Sequence, residues 1–117
     1  MNKTQQKTFA PNPTEAEMRE TLRAAAKAGG WMMWFVHDSR HSPAGWPDMW
    51  FLRGGEALFM ELKRTGKKWT PVQEKTIYAL REFAEAHGIA HWMDAFVVTP
   101  GTLQAACEML TASRRTP

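Results

Sequence analysis

Apolar residues in this chain follow two different rhythms. Between Gly45 and Lys63 they run almost unbroken, as Gly45-Trp46-Pro47-Asp48-Met49-Trp50-Phe51-Leu52 and then Ala57-Leu58-Phe59-Met60-Glu61-Leu62-Lys63. Gly54-Gly55 separates the two runs, a pattern that predicts a β-hairpin. With those glycines as a two-residue loop, Arg53 pairs with Glu56 and, counting outward, Asp48 faces Glu61. Opposed Cβ atoms in such a pair lie about 4.5–5.5 Å apart, and like charges there repel. Period-2 alternation puts Lys63 on the same face as Glu61. One hairpin face carries Trp50, Leu52, Ala57 and Phe59; the other carries Met49, Phe51, Leu58, Met60 and Leu62. Both faces are apolar, so the hairpin is expected to be central and covered on both sides.

Elsewhere the rhythm is helical. Thr14-Glu15-Ala16-Glu17 after Pro13 forms a capping box, Met18, Leu22, Ala25 and Ala26 form an apolar stripe, and Gly29-Gly30 ends the first helix. Trp31 to Val36 reads as a strand, and residues 38–45 as a polar loop. A basic loop over 64–69 precedes a second helix, which opens on Thr70 as N-cap with Pro71 at its first position. Ile77, Leu80, Phe83 and Ala84 are its expected buried stripe, and Gly88 closes it. Ile89 to Val98 supplies another strand, with Asp94 a possible break, and Thr102 to Ala112 a last helix. The fold class is therefore α/β, a mixed central sheet flanked by helices in the order αβββαβα.

The 117 residues suffice for one domain with a single core. We expect it over 14–112, between flexible tails at 1–13 and 113–117. The lone Cys107 excludes a disulfide framework and suits a reducing cytosol, where it reads as a small apolar filler. Residues 1–12 are polar and lack a signal-peptide core, and no run approaches the ~20 apolar residues of a membrane helix. A cytoplasmic protein, not secreted and with no membrane partner, is expected. The net charge of +3 permits nucleic-acid binding without establishing it. His37/His41 and His87/His91 share a spacing that suits metal only on one helix face. With no cysteine cluster beside them, zinc is not expected.

Two carboxylates set into apolar strands are costly unless neutralised, and a divalent cation with oxygen ligands does this. Pro47-Asp48, a gap of a dozen residues, then Glu61-Leu62-Lys63 is the PD-(D/E)xK pattern of restriction-endonuclease-like nucleases. With Asp38-Ser39-Arg40-His41-Ser42, Gly45-Trp46 and Gln73 added, the chain resembles the VRR-NUC (virus-type replication-repair nuclease) branch over roughly residues 14–100.

That resemblance implies a restriction-endonuclease-like core and a DNA endonuclease dependent on Mg²⁺ or Mn²⁺, selective for branched or junction DNA. It also implies a phage-type protein working in the bacterial host cytosol. Asp48, Glu61 and the Leu62 carbonyl would hold the metal, and Lys63 would orient the attacking water or offset developing charge. Glu15, on the first helix, would approach the metal, although an acid in a first turn also suits the helix dipole. Gln73 would point into the active site, yet it also completes a capping box with Thr70, and one residue cannot easily do both. Duplex or branched DNA is the expected partner. Arg64, Lys67 and Lys68 would hold its backbone, and Ser39, Arg40 and His41 would clamp the scissile strand.

Trp50 and Trp92 are expected in the core, while Trp46 and Trp69 suit stacking on bases. No small-molecule cofactor is expected. A protomer this small has little surface for a branched duplex, so a homodimer is expected. The competing class is a non-catalytic nucleic-acid-binding module that keeps the fold; a third is a phage protein that binds a host protein.

Overall fold

A computed structural model describes residues 12–36 and 45–113. Helix α1 (Glu15–Ala28) begins where the sequence predicts. The Thr14 hydroxyl accepts from Glu17 N–H at 3.0 Å, and the Glu17 carboxylate accepts from Thr14 N–H at 2.9 Å. Strands β1 (Met32–Phe35), β2 (Met49–Arg53) and β3 (Glu56–Leu62) form an antiparallel meander. Helix α2 (Pro71–Ala86) then carries the chain to β4 (Met93–Val98), which pairs parallel to β3, and α3 (Leu103–Thr111) follows. The result is a four-stranded mixed sheet, ordered β1-β2-β3-β4, with three helices. Among the described residues no helix is long and apolar enough to cross a membrane.

The hairpin has the expected register, with Arg53 opposite Glu56 and Met49 opposite Met60. Gly54 takes φ +59°, as a two-residue loop of the II′ kind requires of its first position. Asp48 lies one residue beyond the last pair, where its carbonyl still accepts from Val36 N–H at 3.0 Å. The ladder thus holds Asp48 from the β1 side while Glu61 stands on β3.

Alternation decides which residues meet the helices. Met49, Phe51, Leu58, Met60 and Leu62 are buried against Met18 and Leu22 of α1 and Leu103 and Leu110 of α3. At the loop end of the hairpin a buried cation ties these layers together. Arg53 Nη1 donates to the carbonyls of Gly29 and Ala112, both at 2.9 Å, and the guanidinium pairs with Glu56 and lies 4.3 Å from the Trp31 ring. A buried charge is tolerated when its donors are this fully used. A β-carbon at Gly29 would lie 1.8 Å from the Leu110 carbonyl oxygen, so glycine there lets α1 and α3 approach closely.

Several expectations need correction. The hairpin is not covered on both faces: Met32, Trp34 and Leu52 on the side opposite α1 and α3 are exposed. Trp50 and Trp92 are only partly buried and lie outside the main core cluster. On α2 the stripe reduces to Ile77 and Ala84, with Leu80 half-buried and Phe83 exposed, because α2 packs chiefly on β4. Strand β1 is shorter than residues 31–36, and residues 90–92 form a turn before β4. Asp94 does not break that strand: its carboxylate accepts from Ala95 N–H at 2.8 Å and stands 3.5 Å from Arg81 Nε.

Candidate functional site

The end of the hairpin remote from its loop gathers Asp48, Glu61, Lys63 and Gln73. The Asp48 carboxylate accepts from Leu62 N–H at 2.9 Å, which fixes it against the β3 backbone. Glu61 alternates with Phe59, on the face opposite Leu58 and Met60, and is buried. Lys63 Nζ lies 3.7 Å from Glu61 Oε2. Helix α2 supplies the fourth member: Gln73 Nε2 donates to Glu61 Oε2 at 2.8 Å.

Gln73 also caps its helix. Its Oε1 accepts from Thr70 N–H at 2.9 Å, and its own N–H donates to the Thr70 hydroxyl at 3.2 Å. The sequence reading set these two roles in competition. The carboxamide resolves them, because its oxygen serves the cap and its nitrogen serves Glu61. Glutamate at this position would complete the capping box but could not donate to Glu61. Sequence reasoning missed that Thr70, through its backbone N–H, fixes the direction of the Gln73 amide. The signal available was the choice of Gln over Glu at N3.

Electrostatics at Glu61 are unfavourable to its ionised form. Burial pushes its carboxyl up to about 8, the Asp48 charge adds to this, Lys63 opposes it, and Glu15 contributes a further upward push. Oε1 of Glu61 is buried with no hydrogen-bond partner. In the ionised form, an oxygen left so costs roughly 1–3 kcal/mol. Its chemistry and surroundings suit a cation.

The two acids of the first turn of α1 separate clearly. Glu17 is committed to the Thr14 cap, and that bond holds its carboxyl below the usual carboxylate range, with a smaller contribution from Arg64. Glu15, whose charge is felt at Glu61, is left as the α1 acid that faces the cluster electrostatically. Arg64 Nε is buried without a partner, while Lys67 and Lys68 are exposed on the following turn. Ser39, Arg40 and His41, with His37 and Asp38, lie outside the described residues. Trp46 lies 5.6 Å from Trp50, ring to ring, and so already has a protein neighbour, whereas Trp69 is exposed at the end of the basic turn.

Among the described residues no group of three or more His, Cys, Asp or Glu side chains is gathered for a metal ion. Mg²⁺ does not require one, since it is commonly held by one or two carboxylates and keeps several waters. Asp48, Glu61 with its open Oε1, and a main-chain carbonyl fit that donor chemistry.

No protein-family model matches this chain, and no curated protein or solved structure is significantly similar to it.

Proposed function

We propose that the protein is a metal-dependent phosphodiesterase acting on DNA, built on a restriction-endonuclease-like core. The observation that carries this reading is the buried Glu61 carboxylate, with one oxygen unpartnered and the other held by Gln73 and approached by Lys63, beside Asp48. Asp48, Glu61 and the Leu62 carbonyl are the residues that would hold Mg²⁺ or Mn²⁺, with Glu15 at the margin. Such an ion, when bound, acidifies a coordinated water and offsets charge on a phosphate.

The chain's own groups do the rest. Gln73 holds Glu61 in one orientation. Lys63 provides a fixed cation for the negative charge that builds on the attacked phosphate. Asp48 is anchored by the Leu62 N–H, which holds its carboxylate beside Glu61. Arg64, Lys67 and Lys68 follow directly along the chain, and the exposure of Lys67 and Lys68 supports assigning this run to backbone phosphates. Selectivity for branched or junction DNA belongs to the same proposal, on the strength of the VRR-NUC resemblance.

The test is nicking of supercoiled plasmid with and without Mg²⁺ or Mn²⁺, with Asp48→Ala and Glu61→Ala beside the wild type. Cleavage should require the metal and both acids. Metal-independent DNA binding with no cleavage by the wild type would favour a binding module that retains the fold.

A further inference from the structure

On the sheet face that α1 and α3 leave open, three aromatic side chains stand in one row. Trp34 pairs with Trp50 across β1 and β2, and Trp50 pairs with Phe59 across β2 and β3. Directly opposed residues point to one face, so the rings follow one another at the strand spacing of about 4.8 Å. Trp34 is 64% exposed, and Trp50 and Phe59 are partly exposed. Trp50 is fixed at the centre. Its Nε1 donates to the Pro47 carbonyl at 3.0 Å, and its ring has Trp46 at 5.6 Å and Phe59 at 6.1 Å. Exposed Met32 and Leu52 flank the row on its hairpin-loop side, where they and the rings line a depression of about 500 Å³.

The other side of the row leads to the carboxylate cluster. Asp48 stands two residues from Trp50, and Glu61 two residues from Phe59, one rung of about 6.7 Å further along the same face. Lys63 Nζ lies 3.7 Å from Glu61 Oε2. Trp46 borders a second depression that it shares with Lys75 of α2.

We infer that this row binds unpaired nucleotides of a single DNA strand, with the bases on the rings and the phosphates toward the Asp48–Glu61 end. Every base has a π face, so stacking on aromatic side chains needs no particular sequence, and four-stranded sheets bearing such rows stack two or three bases. A nucleotide strand is apolar along its bases and anionic along its backbone. The surface is divided in the same order, rings first and then the cations Lys63 and Lys75 beside them. Rings already held in place, as Trp50 is, lose little freedom when a base arrives. The direction of the strand rests on the phosphodiesterase reading, to which the row adds a substrate feature: cleavage beside unpaired bases.

The experiment is fluorescence anisotropy of a labelled oligothymidylate titrated with the full chain in EDTA at low salt, which separates binding from metal-dependent cleavage. Trp34→Ala and Trp34→Phe are compared with wild type, and circular dichroism checks that each is folded. Wild type should bind the single strand. Trp34→Ala should weaken that binding about fivefold or more, the scale of one lost base–aromatic stack, and Trp34→Phe should keep most of it. Binding of the fully paired duplex should not respond to Trp34→Ala. No single-strand binding by wild type, equal binding by Trp34→Ala, or equal losses on single strand and duplex overturns the proposal. Plasmid nicking with Mg²⁺ is read apart from this. Trp34-dependent strand binding without nicking keeps the ring site and removes the phosphodiesterase reading, whereas nicking with strand binding indifferent to Trp34 does the reverse.

Discussion

The carboxamide of Gln73 joins the N-terminus of α2 to Glu61, its nitrogen 2.8 Å from Glu61 Oε2 and its oxygen 2.9 Å from Thr70 N. A helix cap and a buried acid are thereby held by one planar group with two chemically distinct ends. The cap alone would tolerate Glu, whereas the bond to Glu61 requires a donor.

That distinction predicts different outcomes for two substitutions. Gln73→Ala loses both bonds and should cost roughly 1 kcal/mol of stability, the usual scale for a lost cap interaction, together with activity. Gln73→Glu keeps the capping box and should hold its melting temperature near wild type at pH 6, where Glu61 is protonated and can donate to the new carboxylate. Above pH 8 it should lose stability, as two ionised acids then meet. Cleavage by Gln73→Glu should fall at least tenfold. Wild-type cleavage by this variant would show that the Gln73–Glu61 bond has no part in the reaction.

Glu61 makes the apo protein's stability depend on pH in a direction that can be worked out. Its carboxyl is pushed from 4.5 up to about 8 by burial and by Asp48. Between those values the native chain holds a proton at Glu61 that the unfolded chain has released. Stability from this group is therefore complete below about pH 4.5 and is lost as pH rises through 8. Chemical denaturation from pH 5 to 9 should show wild type weakening relative to Glu61→Gln, which has nothing to titrate there. Mg²⁺ or Mn²⁺ should raise the wild-type melting temperature, and more at pH 8.5 than at pH 6, because proton and metal compete for one carboxylate. Equal slopes for the two proteins, with no metal effect, would remove the cation site.

How much of this was legible beforehand depends on how local the determinants are. The hairpin register, and with it the meeting of Asp48, Glu61 and Lys63, follows from a two-residue glycine loop and a period of two. Both capping boxes were equally plain, since Thr14 and Thr70 each stand three residues before their acid or amide partner. The open sheet face was not legible. Trp50, Leu52 and Phe59 form a strand face as apolar as that of Met49, Phe51 and Leu58, and nothing local says which one the helices cover. The landing of α1 and α3 together on one side, and the offset of α2 toward β4, arise from tertiary packing. Gln73 was misjudged for a different reason: its two ends were treated as one group.

Lys63 stands 3.7 Å from Glu61 and lowers the pH at which that acid ionises. Lys63→Ala should reduce cleavage by about 10²–10³, the scale for losing one fixed group aimed at developing negative charge. The acidic limb of its pH–rate profile should also move to higher pH, because Glu61 loses a cation that favours its ionisation. Lys63→Arg should restore the position of that limb even where turnover stays low. An unshifted limb with a simple rise in KM would make Lys63 a phosphate contact only.

Lys67 and Lys68 lie on the exposed turn that follows Arg64, beyond the end of β3 that bears Glu61. Neither side chain is buried, so their replacement by Gln should leave the fold within about 0.5 kcal/mol of wild type. Each phosphate contact contributes close to one unit to the slope of log affinity against log salt. The double Lys67→Gln, Lys68→Gln variant should therefore flatten that slope by about one to two units and weaken DNA binding similarly for unrelated sequences. Metal affinity, measured calorimetrically without DNA, should change little, since the charges that shift Glu61 are those of Asp48, Lys63 and Glu15. A loss that varies with DNA sequence would show the turn reading bases. An unchanged slope would place the backbone contact elsewhere, with Ser39, Arg40 and His41 the next residues to replace.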